Sequence, residues 1–65
     1  MKVNIDRCWS GNDNYSIRAT INGDRYNWYY TDVEGVPSNR AIATWVRDIA
    51  VRECHVKRNS VKCIF

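Results

Sequence analysis

A chain of 65 residues, 45% hydrophobic and 26% charged, has room for one domain with a small core. That size excludes a deep substrate pocket surrounded by a catalytic shell. The formal net charge is +3, and no stretch approaches the roughly 20 apolar residues of a membrane span. The first residues alternate apolar with polar, so we expect no secretory signal and predict a cytoplasmic protein.

The first predicted element is a strand over residues 2–9, in which Val3 and Ile5 alternate with polar neighbours. A dense cluster of turn-forming residues follows at 10–14. Three Trp, four Tyr and one Phe are a large aromatic supply for this length, and we expect them to provide much of the buried apolar area.

The next predicted element is a β-hairpin around Asn22-Gly23, because a two-residue type I′ turn needs positive φ at both central residues. That turn pairs Thr20 with Arg25 and Ile17 with Trp28. One face of the hairpin then carries Tyr15, Ile17, Ala19, Tyr26, Trp28 and Tyr30. The other face carries Ser16, Arg18, Thr20, Arg25, Asn27 and Tyr29.

After a loop at 32–37, the sequence predicts an amphipathic helix over 39–52, capped by Ser38 and fraying near Glu53. Its apolar stripe comprises Ala41, Ile42, Trp45, Val46, Ile49 and Ala50. Residues 60–65 alternate and form either a short edge strand or a tail packed on the sheet. The predicted fold class is α+β: a three-stranded antiparallel sheet packed by one helix in the C-terminal half, with a possible fourth strand.

The cysteine count is odd, which argues against a disulfide framework and favours three reduced thiols. Two alternatives stay open. One is a metal site from Cys8, Cys54, His55 and Cys63, although their spacing is unlike that of usual zinc ligands. The other is a bridge, either Cys54–Cys63 or an intermolecular one formed on oxidation. We predict neither a metal nor a cofactor.

The single histidine follows Cys54 directly, and adjacent side chains diverge in both helices and strands, so this pair fits poorly as a nucleophile and base. The aspartates at 13, 24 and 32 fall in turns, where Asp is common for conformational reasons. We therefore predict a binding protein and not an enzyme.

The positive charge is concentrated near the C-terminus. Residues 1–51 carry six cations against six anions, whereas residues 52–65 carry four cations against one anion. This segment suits a phosphate backbone or an acidic surface. Its candidate phosphate contacts are Lys57, Arg58 and Lys62.

The polar face of the hairpin is the main candidate site. Arg engages guanine, Asn engages adenine, and Thr and Tyr reach phosphates. The predicted nucleic-acid contacts here are Arg18, Thr20, Arg25, Asn27 and Tyr29. Lys2 and Arg7 extend this patch, while Asp6 and Asp24 interrupt it. These side chains predict duplex DNA as the partner. The alternative that stays open is that this face is polar only because it is exposed to water.

The pattern Tyr15-x-Ile17-Arg18-Ala19-x-Ile21-Asn22-Gly23-Asp24-Arg25-Tyr26, followed by a loop and a helix, resembles small β-β-β-α DNA-binding domains. These are the arm-type binding domain of tyrosine-family integrases and the plant AP2 domain. The resemblance implies that a three-stranded sheet enters the major groove of DNA. The side chains that would contact the bases there are Arg18, Thr20, Arg25 and Asn27. In size and style the chain also resembles small phage and prophage proteins.

The alternative function is a protein-protein interaction or inhibitor module of the phage type. The same face would serve, because Tyr and Arg are enriched at interaction hot spots. A free sheet edge that adds to a partner's sheet and a homodimer are further possibilities.

Overall fold

The structure, a computed structural model, describes residues 1–65 as one helix packed on a four-stranded sheet. The strands are β1 (Lys2–Trp9), β2 (Tyr15–Ile21), β3 (Asp24–Tyr30) and β4 (Lys62–Ile64), and the helix is α1 (Asn39–Cys54). A short 3-10 helix, Arg58–Ser60, precedes β4. The predicted α+β class and single C-terminal-half helix are confirmed.

The sheet order is β3-β2-β1-β4. The first three strands are antiparallel, and β4 lies parallel to β1 with Lys2 beside Lys62 and Val3 beside Cys63. Of the two possibilities for residues 60–65, the short edge strand is therefore confirmed. The α-amino group of Met1 donates to the Ser60 carbonyl at 2.8 Å, which fixes the start of β1 beside the start of β4.

The hairpin has the predicted register throughout, from Tyr15 opposite Tyr30 to Thr20 opposite Arg25. Asn22 and Gly23 have φ of 52° and 86°, as a type I′ turn requires. The turn thus decides which side chains share a face.

Helix α1 begins as predicted, because the Ser38 hydroxyl accepts a hydrogen bond from the Ala41 amide at 3.1 Å. It ends two residues later than predicted. His55 adopts the left-handed region at φ 56°, and its N–H donates to the Val51 carbonyl, which closes the last turn. Glu53 remains helical and exposed, so the helix does not fray at this residue as predicted.

The fully buried residues of the core are all aliphatic, and the aromatics pack against them at the margin. The buried apolar residues of the core are Val3, Ile5, Ile17, Ala19, Ile21, Ile42, Ala43, Val46, Ile49, Ala50 and Val61. The aromatics Tyr26, Trp28 and Tyr30 pack around it only half-buried, because all three belong to β3, the edge strand. Trp28 meets Trp45 of the helix edge-on, with ring centroids 5.7 Å apart.

Candidate nucleic-acid interface

The sheet surface opposite the helix, called the open face below, is set by the strand register. Side chains alternate along each strand, and register partners point to the same side. Because Ile5, Ile17 and Ala19 are buried against the helix, their immediate neighbours project from the other side. The open face comprises Lys2, Asn4, Asp6, Cys8, Ser16, Arg18, Thr20, Arg25, Asn27, Tyr29, Lys62 and Ile64.

This face holds the whole net charge of the protein. Its ionisable cations are Lys2, Arg18, Arg25 and Lys62, against the single acid Asp6, which leaves +3. The remaining six cations of the chain balance the remaining six acids. Only Lys62 among these cations comes from residues 52–65, whereas Lys2, Arg18 and Arg25 come from the part of the chain that has no net charge.

None of the four cations of the open face is in an ion pair. The two ion pairs of the protein, Arg52 with Glu53 and Arg58 with Asp48, lie outside this face. Lys2 and Lys62 are neighbours in register on adjacent strands, about 4.8 Å apart along the hydrogen-bonding direction. Like charges placed side by side on a sheet are destabilising, and a bound anion would relieve that cost.

A row of polar residues crosses the middle of the open face. Asp6 is opposite Arg18 in register, and Arg18 is opposite Asn27. The Arg18 Nε donates to Asn27 Oδ1 at 3.5 Å, a long contact that aligns the guanidinium along the row. This row offers donors and an amide at positions from which base edges can be contacted.

The two ends of the open face differ chemically. Lys2, Thr20 and Arg25 lie at the end nearest the Asn22-Gly23 turn, since β1 starts where β2 finishes. The other end carries Tyr29, whose side chain is exposed (73%), beside the buried Ser16. The surface is thus basic at the turn end and aromatic at the far end.

Of the predicted contacts, the structure brings together Arg18, Thr20, Arg25, Asn27, Tyr29 and Lys62. It does not bring Arg58 to this surface, because the Arg58 guanidinium donates to Asp48 of the helix layer. Lys57 is exposed in the segment between α1 and the 3-10 helix and is not part of the sheet.

Two further residues lie on the helix side of the sheet, unlike the prediction. Arg7 is opposite Ile17, and its Nη2 donates to Asn39 Oδ1 at 2.8 Å, so it ties β1 to the helix start. Asp24 is opposite Ile21 and on the side of Tyr26, so it does not interrupt the open face. The pairing of Asn4 with Ile64 and of Lys2 with Lys62 was missed, because it depends on β4 running parallel to β1.

The cysteines are free and half-buried, and the sheet separates Cys8 from Cys54 and Cys63. Cys8 lies on the open face, whereas Cys63 is beside Val3 on the helix side, where burial raises the pKa of its thiol against the opposing effect of Arg47. No three His, Cys, Asp or Glu side chains come together as a metal-binding group. No helix is long and apolar enough to cross a membrane.

A separate groove of about 620 Å³ lies along the outer side of β3. One wall is the strand from Asn27 to Tyr29, and the other is the helix side formed by Ala41, Thr44, Trp45 and Asp48. The groove opens at the edge of the sheet, next to backbone groups that no strand covers.

Comparison with known proteins adds no relative. No protein-family model matches this chain, and no curated protein and no solved structure matches it.

Proposed function

We propose that this protein is a non-enzymatic nucleic-acid-binding protein that uses its open face on duplex DNA. The observation that carries the proposal is the charge count by surface: the open face holds +3, the net charge of the entire chain, on four cations without ion-pair partners. Phosphate contacts from Lys and Arg supply most of the sequence-independent affinity for DNA.

The basic end provides the phosphate contacts. Lys2 and Lys62 stand side by side on β1 and β4, an arrangement that a phosphate between them would stabilise. Thr20, next to Arg25, contributes a hydroxyl that reaches phosphate oxygens.

The central row supplies contacts to base edges. Arg18 matches the two acceptors of guanine, Asn27 matches adenine, and the Asp6 carboxylate accepts from the amino group of cytosine. A sheet surface enters the major groove, which is about 12 Å wide. Side chains on three adjacent strands, each about 4.8 Å apart, span a comparable width.

The test is a fluorescence-anisotropy titration of labelled duplex DNA at low and at moderate salt. Replacing Arg18 and Arg25 by Gln should abolish most of the binding. The matched control replaces Arg40 and Arg52 by Gln, which removes the same charge from the exposed side of the helix layer. Undetectable DNA binding by the folded wild-type chain at low salt, or equal losses in both double variants, would overturn the proposal.

The alternative, a protein-interaction or inhibitor module, would use the same surface. The exposure of Tyr29 at its far end favours this candidate, since Tyr is frequent at hot spots. Salt separates the two functions: DNA affinity falls steeply as salt rises, whereas an interaction built on Tyr29 depends on salt weakly. Tyr29→Ala should weaken the protein interaction more than it weakens DNA binding.

A further inference from the structure

Strand β3 is an edge with unsatisfied backbone groups. In a hairpin with a two-residue loop, the pair flanking the turn is hydrogen-bonded and the pattern alternates from there. Ile21 and Asp24 are that pair, so the residues at 24, 26, 28 and 30 bond to β2. The N–H and C=O groups of Arg25, Asn27 and Tyr29 point outward, where no strand follows.

This edge lacks most of the devices by which proteins block strand addition. Such devices are charged side chains, lysine above all, proline, a bulge or a very short strand. β3 has seven residues, contains neither Pro nor Lys, and pairs with β2 without interruption; its only charged residues, Asp24 and Arg25, lie at the turn end. The opposite edge, β4, has only three residues. Strand addition is therefore favoured at β3.

The groove beside β3 provides space for the side chains of an added strand. On the helix side the groove is bounded by Trp28 and Trp45. Ala41 and Thr44, which precede Trp45 in α1, complete this wall. An incoming strand would place every second side chain against these rings, while its other side chains would join the open face.

We infer that a second copy of this chain occupies the edge, with the two β3 strands antiparallel about a two-fold axis through Asn27. Only pairings between outward-pointing residues satisfy the free backbone groups. Asn27 then faces Asn27 of the partner, Arg25 faces Tyr29, and Tyr26 faces Trp28. The two copies together form one sheet of eight strands.

The sequence of β3 is self-complementary in this register, which favours a second copy as the occupant. In this register no cation faces a cation and no acid faces an acid. Each Arg25 guanidinium meets the exposed ring of Tyr29 on the open face, a favourable cation–π arrangement. On the helix side, Tyr26 and Trp28 form aromatic cross-strand pairs, which stabilise sheets. Each contact off the axis occurs twice, and Asn27 meets its own copy on the axis, as a two-fold interface requires.

The inference goes beyond DNA binding and does not rest on it. Edge pairing leaves the open face uncovered, since the partner lies beside the sheet and not over it. Self-association is measured without DNA, and DNA binding is scored on the wild-type chain at low salt. A dimer that does not bind DNA and a monomer that does are therefore distinct outcomes, and the two proposals fail separately.

The experiment is sedimentation velocity across a range of protein concentrations. Wild type should change from monomer to dimer. Asn27→Lys and Asn27→Asp each place like charges on the two-fold axis, and each should raise the dimer dissociation constant about tenfold or more. Mixing the two variants should restore the dimer, because opposite charges then meet. Asn4→Lys is the control, since Asn4 lies on the same face but on an inner strand.

Wild type that stays monomeric at all concentrations, a dimer unaffected by either variant, or a mixture that fails to dimerise would overturn the inference. Disulfide trapping checks the register. Asn27→Cys should cross-link on mild oxidation, because hydrogen-bonded partners have Cα atoms about 5.5 Å apart. Arg25→Cys should not, since the two copies of residue 25 are about 14 Å apart along the strands. Cross-linking of Arg25→Cys alone would refute the register.

Discussion

Lys62→Gln should reduce the salt dependence of DNA binding by one phosphate contact. The open face has three cations placed for phosphate contacts, Lys2, Arg25 and Lys62, and each phosphate contact contributes about 0.9 to the slope of log affinity against log salt. A wild-type slope of about −2.7 corresponds to an affinity loss of about 40-fold for a fourfold rise in salt. Without Lys62, the slope should be about −1.8 and the loss about 12-fold.

The assay is an anisotropy titration of one duplex at several salt concentrations. Arg58→Gln is the matched control, because it removes the same charge four residues away but from a side chain paired with Asp48. Its slope should equal that of wild type, whereas Lys62→Gln should give about two thirds of the wild-type slope. Equal reductions in both variants would mean that total charge governs binding and would refute the reasoning from the open face.

Three further predictions concern stability. Gly23→Ala should cost about 1–2 kcal/mol in urea unfolding, because Gly23 has φ of 86° and a Cβ there meets no other atom, so only backbone strain is added. Arg47→Ala should cost about 1.5 kcal/mol in the same measurement, since it removes the hydrogen bond from Nε to the Val61 carbonyl. The free energy of unfolding should fall as pH rises above about 10: hydrogen bonding to Asp32 raises the pKa of Tyr15 above its ordinary 10.0, so the folded state favours the neutral phenol. That loss should be smaller in Tyr15→Phe.

The hairpin was predictable in detail because its register depends on two adjacent residues. Asn22 and Gly23 accept positive φ, and a two-residue loop leaves one way to pair the strands on either side of it. The same local logic identified the cap at Ser38, whose hydroxyl bonds to an amide three residues away. Features that depend on residues close together in the sequence could therefore be predicted.

The position of the aromatics was not predictable in the same way. The alternation in β3 correctly assigns Tyr26 and Trp28 to the side of Ile17, but it does not reveal that β3 is an edge strand. Because β3 is at the edge, one flank of each ring lies in solvent. The centre of the core is filled by the aliphatic side chains of the inner strands and the helix. Strand order, a property of the whole fold, decided the depth of burial.

The extent of the candidate site depends on the pairing of β1 with β4, two strands at opposite ends of the sequence. Alternation in residues 60–65 allows either orientation beside β1, and only the parallel one in the observed register brings Lys62 next to Lys2. The charge that a sequence count assigns to the C-terminal segment then divides: Lys62 joins the open face, while Arg58 is neutralised by Asp48. Because affinity for a phosphate backbone follows the charges that share a surface, the pairing of β1 with β4 is the structural basis of the proposed interface. A variant that detaches β4 while the hairpin stays folded should therefore bind DNA as weakly as one that lacks Lys62.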